Sequence, residues 1–293
     1  MTVSSRPIKV AAAQYPLDAF TSIDAYVDKQ ARWVRQAVDN GAELLVFPEY
    51  GAMEYAAPNI TAASDLQASL QAVSDAFPQI DAAHVELARL HSVHILSASG
   101  PTADGVGRFV NRARLFAPSG KVGVQDKLIM TPFEVRWGIS PGVQNRVFET
   151  TLGRIGIAIC YDSEFPMLVR AQAEAGADII LIPSCTEFMS GYHRVRTAAM
   201  ARALENGCVT VQSPTVGDAL WSPAVDHNAG AAGIFVPSEL GFSDTGVIAD
   251  GVPNRAQWVY GAVDMHRLHQ VRTHGEMRNS RDWAKQVGAV GLG

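Results

Sequence analysis

Short runs of apolar residues alternate along this chain with longer segments that carry apolar residues at helical spacing. The clearest runs lie at residues 8–14, 43–47, 154–160 and 179–182. Runs this short and this apolar are typical of strands buried on both faces of a sheet. Helical segments at 24–39 and 192–206 precede Gly41 and Gly207, which are common helix stop signals. The alternation therefore constrains the chain to a layered α/β fold.

Other strand-like segments are joined by connections too short for a crossover helix. Residues 109–116 and 121–127 flank a Pro-Ser-Gly turn, which predicts an antiparallel pair. We therefore expect mixed sheets. Two helical segments divided at Pro78 are predicted before residue 91, and residues 131–142 read as a loop. Because no linker, repeat or low-complexity segment interrupts residues 1–293, we expect a single domain.

The charge balance limits the partners that this chain can have. There are 24 Lys and Arg residues against 29 Asp and Glu, a net charge of −5, without a basic cluster. This argues against nucleic acid and anionic membranes as partners. No apolar run approaches the roughly 20 residues of a membrane span, and the first residues lack the apolar segment of a signal peptide. Three cysteines suit free thiols in a reducing cytoplasm.

Three reactive side chains follow predicted strands: Glu49, Lys127 and Cys160. In α/β folds, functional residues lie just beyond the carboxyl ends of strands. A desolvated Glu can take the proton of a thiol, and a Lys ammonium can stabilise the oxyanion of an attacked carbonyl. Each residue also has an ordinary interpretation, since buried cysteines usually pack as small apolar residues and Glu and Lys are usually solvated. Spacing alone does not bring the three together.

Five sequence blocks follow one another in a characteristic order. The first is GAELLVFPE at 41–49, and the second combines Asn111 with APSGK at 117–121 and DKL at 126–128. The third is GRIGIAICYD at 153–162 with FP at 165–166, followed by GADIILIP at 176–183 and RALEN at 202–206. From about residue 10 to about residue 283, this chain resembles the carbon-nitrogen hydrolases of the nitrilase superfamily.

The resemblance implies a role for each matched residue. Glu49 would be the general base, Lys127 the oxyanion stabiliser and Cys160 the nucleophile that forms a thioester. Glu134 resembles a second family carboxylate and would have a positioning role, although a solvated loop carboxylate is an alternative. The backbone N–H of Tyr161 would be a second oxyanion donor. The implied fold is a four-layer α-β-β-α sandwich with mixed sheets, the nitrilase-like fold, which usually forms a homodimer or a higher homo-oligomer.

The residues after the nucleophile narrow the expected activity. Cys160-Tyr161-Asp162 favours amides, so we expect hydrolysis of a small linear amide. Ser163 and Glu164 stand where many relatives carry Arg, which reverses a local charge. Nitrilase or N-carbamoyl amidase activity with the same triad remains an alternative, as does a non-catalytic scaffold of the same fold.

Further residues are candidates for the walls of the substrate pocket. The segment after the strand at 179–182 predicts that Cys185, Thr186 and Glu187 face the pocket, and Trp137 is a candidate wall. For Trp137 and Glu187, a core position and an exposed position are equally compatible with the sequence. No cofactor is implied. His266 and the histidine three residues later have helical spacing but lack a matched carboxylate or cysteine set, so no metal site is expected.

Overall fold

Strands and helices alternate throughout residues 6–286, the part of the chain that the computed structural model describes. The strands are β1 (Ile8–Pro16), β2 (Leu44–Val46), β3 (His94–Leu96), β4 (Gly100–Ala103), β5 (Phe109–Phe116), β6 (Val122–Asp126), β7 (Ile139–Ser140), β8 (Val147–Thr150), β9 (Gly153–Ile157), β10 (Ile179–Ser184), β11 (Val209–Asp218), β12 (His227–Asn228), β13 (Gly233–Phe235), β14 (Val247–Asp250) and β15 (Gln257–Val263). The helices are α1 (Ile23–Asp39), α2 (Ile60–Ala63), α3 (Leu66–His91), α4 (Pro132–Trp137), α5 (Pro166–Glu174), α6 (Met189–Asn206), α7 (Met265–His274) and α8 (Asn279–Asp282), with 3-10 turns at Gly51–Ala56, Cys160–Glu164 and Trp283–Lys285.

The strands form two mixed sheets. In the first, β15, β1, β2, β3 and β5 are neighbours, and β5 also pairs with β4, β6 and β7. In the second, the order is β8, β9, β10, β11, β13 and β14. The end of β1 pairs with β11 at Tyr15 and Thr215 and joins the two sheets. The predicted antiparallel pair of β5 and β6 and the mixed sheets are confirmed.

The side chains of β1 show how the layers are stacked. Val10 and Ala12 join a core cluster with residues of β9, β10 and β11, so they face the second sheet. Ala11 and Ala13 point the other way, into a cluster with the buried faces of α1 and α3. Helices α5 and α6 pack on the second sheet. This alternation on a single strand produces four layers, and the predicted α-β-β-α sandwich is confirmed.

The predicted break at Pro78 is wrong, because α3 continues through this residue. Proline inside a helix removes one backbone hydrogen bond and costs about 3 kcal/mol. Val73 and Phe77 before Pro78, and Ile80 after it, lie on one buried face of the helix. Burial of each such side chain contributes about 1.5–3 kcal/mol, which is enough to keep the helix continuous.

Membrane spans and metal clusters are two features that residues 6–286 do not contain. No helix there combines the length and the apolar character that crossing a bilayer requires. No three His, Cys, Asp or Glu side chains of that part are grouped so that they could hold a metal ion. The three histidines of α7 have other partners, since His266 pairs with Gln270, His269 with Asp178 and His274 with Thr273.

Candidate active site

The three residues selected at strand ends meet in one buried site. Glu49 follows β2, Lys127 follows β6 and Cys160 begins the 3-10 turn after β9. Lys127 Nζ donates to Glu49 Oε1 at 2.8 Å, and both residues are 1% exposed. The backbone of Cys185, just after β10, links Glu49 to Cys160. Its N–H donates to Glu49 Oε2 at 3.0 Å, and its carbonyl lies 3.9 Å from the Cys160 Sγ.

Glu134 joins this site from a segment that the sequence analysis assigned to a loop. Residues 132–137 instead form α4, which begins with a capping box. Thr131 Oγ1 accepts the Glu134 N–H at 3.3 Å, while Glu134 Oε2 accepts the Thr131 N–H at 2.9 Å. The pattern Thr-Pro-Phe-Glu is a sequence signal for this cap, and it could have predicted the helix. Glu134 Oε2 also accepts from Lys127 Nζ at 2.7 Å, so the ammonium lies between two carboxylates.

Two further residues of the site had no role assigned from sequence. Asn111 on β5 donates through Nδ2 to Glu49 Oε1 at 2.9 Å and to Glu134 Oε1 at 3.4 Å. The Tyr50 hydroxyl donates to Glu134 Oε1 at 2.6 Å. Tyr50 adopts a left-handed backbone conformation with φ 54°, directly after Glu49. These neutral donors hold the two carboxylates in place on either side of the ammonium.

The charges of these groups follow from their burial and their partners. Burial raises the pKa of Glu49 to about 7, against the opposing charge of Lys127 and with a contribution from Glu134. Burial favours the neutral form of Lys127, but the two carboxylates outweigh it and hold its pKa well above the usual range. Burial likewise acts to raise the pKa of Glu134, but Lys127 and the hydrogen bonds from Tyr50 and Thr131 lower it overall. At neutral pH the site therefore holds an ammonium, a carboxylate and a Glu49 that titrates.

The Cys160 thiol is protonated in this environment. Burial and the charge of Glu49 raise its pKa well above the usual thiol range, although Lys127 acts in the opposite direction. A protonated thiol needs a base to become a nucleophile, and Glu49 is a carboxylate hydrogen-bonded to Cys160 that can accept a proton. Cys160 also has φ 47°, a left-handed conformation that costs an L-residue roughly 1–2 kcal/mol. Strain of this kind is common where a fold fixes a reactive side chain.

The structure places two of the candidate wall residues close to this site. Trp137 is buried at the end of α4, where its ring packs 5.3 Å from the ring of Tyr50. Its Nε1 donates to the Leu66 carbonyl at 2.6 Å, which fixes the indole. Cys185 is half-buried, and burial together with the nearby carboxylates raises its pKa to about 12. Trp137 therefore supports the site from behind Tyr50.

The remaining candidates are half-buried or exposed. Tyr161 is half-buried in the turn after the thiol, with its ring edge-on to Phe165 at 4.9 Å. Thr186 is half-buried and donates through Oγ1 to the Ala229 carbonyl at 2.7 Å. Glu187 is exposed. Of the three candidates that follow β10, only Cys185 and Thr186 are half-buried.

Comparisons with known proteins point to one family. Residues 9–270 match the family model described as carbon-nitrogen hydrolase. A probable hydrolase of Bacillus subtilis is 34% identical over 291 residues, which cover 97% of this chain and 55% of that protein. The chain thus spans about half the length of this relative. An omega-amidase of Xenopus laevis is 24% identical over 87% of this chain and 88% of its own length. The crystal structure of a carbon-nitrogen hydrolase from Helicobacter pylori has a TM-score of 0.76 at 19% identity, covering 92% of each chain.

Proposed function

Because the chain belongs to the carbon-nitrogen hydrolase family of the nitrilase superfamily, we propose that it hydrolyses the C–N bond of a small linear amide through a Cys160 thioester. The observation that carries this proposal is the buried Glu49–Lys127 ion pair beside the thiol. A protonated thiol, a base that titrates near neutral pH and a fixed ammonium are the three groups that acyl transfer to a thiol requires.

In the first half of the reaction, the Cys160 Sγ attacks the carbonyl carbon of the amide and its proton passes to Glu49. The carbonyl electron pair moves to oxygen, and the oxyanion is stabilised by the Lys127 ammonium and the Tyr161 N–H. Collapse of this intermediate re-forms the carbonyl and breaks the C–N bond. Glu49 gives its proton to the departing nitrogen, so ammonia or an amine leaves and the thioester remains.

In the second half, water replaces the nitrogen leaving group. Glu49 takes a proton from water, whose oxygen attacks the thioester carbonyl. Collapse breaks the C–S bond, the proton returns to Cys160, and the carboxylic acid is released. Glu134 does not exchange protons in this scheme. Its ionised carboxylate holds Lys127 from the side opposite Glu49, which is a positioning role.

The choice of an amide substrate rests on two observations. The Xenopus laevis relative is named omega-amidase, and that match covers most of both chains. The sequence Cys160-Tyr161-Asp162 also favours amide substrates. Nitrile and N-carbamoyl substrates would use the same triad, and product analysis separates them: carbamoyl cleavage releases carbon dioxide together with ammonia.

The test is ammonia release across a panel of small amides, nitriles and N-carbamoyl compounds. We expect turnover of at least one linear amide, with the matching acid as the second product. Preferred turnover of a nitrile or an N-carbamoyl compound would replace the amide assignment by that alternative. Absence of turnover, combined with a Cys160 that resists iodoacetamide at neutral pH, would favour a non-catalytic scaffold.

The pKa of Glu49 predicts the pH dependence of this turnover. Glu49 must be ionised to accept the thiol proton, and burial places its pKa at about 7. We therefore expect kcat/KM to rise about tenfold per pH unit below that value and to level off above it. Initial rates with the best amide between about pH 5 and about pH 9 measure this rise of kcat/KM with pH. A rate that stays constant across this range would contradict the assignment of Glu49 as the base.

The proposal also covers the domain organisation, the oligomeric state and the cellular compartment of the enzyme. We take residues 1–293 as one carbon-nitrogen hydrolase domain that works as a homodimer or higher homo-oligomer in the cytoplasm. Cys160, Cys185 and Cys208 are free thiols, which is compatible with a reducing compartment. The substrate is a small molecule, in keeping with a site whose three central groups are almost fully buried.

A further inference from the structure

A buried carboxylate outside the triad connects the two loops that carry Lys127 and Cys160. Asp162 lies two residues after the nucleophile and is 2% exposed. Its Oδ1 accepts the N–H of Ile129 at 2.8 Å, and Oδ1 and Oδ2 accept the N–H of Leu128 at 3.2 and 3.1 Å. The donors are the two residues that directly follow Lys127.

The backbone of Asp162 is fixed as firmly as its side chain. Its N–H donates to the Ile159 carbonyl at 3.0 Å, and its own carbonyl accepts the Phe165 N–H at 3.2 Å. The side chain therefore projects from a rigid turn. It reaches across to the loop between β6 and α4, where Thr131 begins the helix cap.

The loop after Lys127 is held by carboxylates at both ends. Asp162 accepts the first two N–H groups, and Glu134 accepts the N–H of Thr131 at 2.9 Å. The Lys127 N–H itself donates to the Asn111 carbonyl at 2.9 Å. The ammonium of Lys127 thus extends from a backbone that is tied to the nucleophile turn through one side chain.

Burial of the Asp162 carboxylate has an energetic cost that a neutral side chain would not have. Within residues 6–286 the Asp162 oxygens accept backbone N–H groups and form no ion pair with a cationic side chain. Burial raises its pKa to about 6, against the charge of Lys127 and the two N–H donors. Only a carboxylate presents two acceptor oxygens to two adjacent N–H groups, which explains an acid here despite burial.

We propose that Asp162 is a positioning residue for the amide hydrolysis inferred above: by binding the Leu128 and Ile129 N–H groups, it sets the position of the Lys127 ammonium relative to the Cys160 thiol. This inference rests on the proposed function. The two loops come from different sheets, since β6 belongs to the first and β9 to the second. The side chain of Asp162 therefore fixes a distance that sheet pairing alone does not fix.

The test is Asp162→Asn, which keeps the size of the side chain and replaces one acceptor by a donor that faces the Leu128 N–H. We expect kcat to fall about 10- to 100-fold while KM changes less than about threefold, because a misplaced ammonium weakens the transition state more than substrate binding. Asp162→Glu restores both acceptor oxygens and should recover part of kcat. Rates are measured well below the melting temperature of every variant.

Asp178→Asn is the matched control. Asp178 is also a buried carboxylate that accepts a backbone N–H, that of Arg154 at 3.1 Å, and it pairs with Arg272. It precedes β10, at the end of that strand opposite the active site. This variant should lose stability but keep kcat. A wild-type kcat in Asp162→Asn, or an equal loss in Asp178→Asn, would overturn the positioning role.

A second measurement keeps this inference separate from the proposed function. If the wild-type protein turns over none of the panel, the proposed function fails, and the rate of Cys160 alkylation by iodoacetamide then decides the positioning role. We expect alkylation at least about fivefold slower in Asp162→Asn than in wild type, because a displaced Lys127 stabilises the thiolate less. An unchanged alkylation rate in that case would reject the positioning role as well.

Discussion

Cys160→Ala is expected to abolish amide turnover, with kcat at least about 10³-fold below wild type. The thiol forms the covalent bond on which both halves of the proposed reaction depend, and no other thiol can replace it. Cys185 is the other thiol near the site, but its Sγ donates to Asn228 Oδ1 at 3.4 Å, whereas the Cys160 thiol is hydrogen-bonded to Glu49. The measurement is ammonia release under saturating amide, with wild type and variant prepared side by side.

The fold of this variant should be almost unchanged. The Cys160 Sγ lies 3.9 Å from the Cys185 carbonyl and is also hydrogen-bonded to Glu49, and thiol hydrogen bonds are weak, so its removal costs little. Alanine has the same restriction at φ 47° as cysteine, whereas glycine would relieve the strain and confuse the comparison. A melting temperature within a few degrees of wild type is expected.

Cys208→Ala provides the matched control for a lost thiol. Cys208 is fully buried at the start of β11, where its Sγ donates to the Arg202 carbonyl at 3.5 Å. This variant should lose some stability through a small cavity and keep its turnover. If Cys160→Ala retained turnover in a clean preparation, the thioester mechanism would be rejected.

The positions of the three central residues could be predicted from sequence because each follows a short apolar run. Glu49, Lys127 and Cys160 all lie where a strand ends, and the structure brings these ends together. The layered fold was predictable for the same reason, since β1, β2 and β10 are buried on both faces and read as continuous apolar runs. The catalytic roles of these residues remain predictions.

Features that depend on pairing between distant segments could not be predicted. The contacts of Asn111 with Glu49 and of Asp162 with the loop after Lys127 join residues that are 62 and 33 or 34 positions apart. No local pattern encodes which segments meet. Strands β4, β7, β8, β12 and β14 contain only two to four residues, too few to show a period, and they were missed. The equally short β2 could be predicted because its apolar run continues to Phe47.

Lys127→Met is expected to destabilise the fold by about 3–5 kcal/mol at pH 8, in addition to removing turnover. The substitution preserves an apolar stem of similar length but leaves the Glu49 and Glu134 carboxylates buried without their shared cation. Both lose hydrogen bonds from Nζ, at 2.8 and 2.7 Å. Urea unfolding, with the free energy of unfolding extrapolated to water, measures the loss.

The pH dependence of this loss distinguishes an electrostatic cause from a packing cause. Lys127 acts to lower the pKa of both carboxylates, so its removal raises their pKa values in the folded state. An acid whose pKa is raised by folding destabilises the fold at high pH, and this cost disappears as protons bind at lower pH. The difference between variant and wild type should therefore shrink from about pH 8 to about pH 5. A loss of packing alone would be independent of pH.

Removal of one of the two carboxylates should restore part of the stability that Lys127→Met loses. The double variant Lys127→Met/Glu49→Gln buries one charge instead of two, and we expect it to recover at least about half of the stability lost by Lys127→Met. Lys285→Met is the surface control, because its ion pair with Asp282 is exposed and its loss should change stability by less than about 0.5 kcal/mol. If the double variant were less stable than Lys127→Met, the two carboxylates would not be competing for one cation, and the electrostatic account of the site would be wrong.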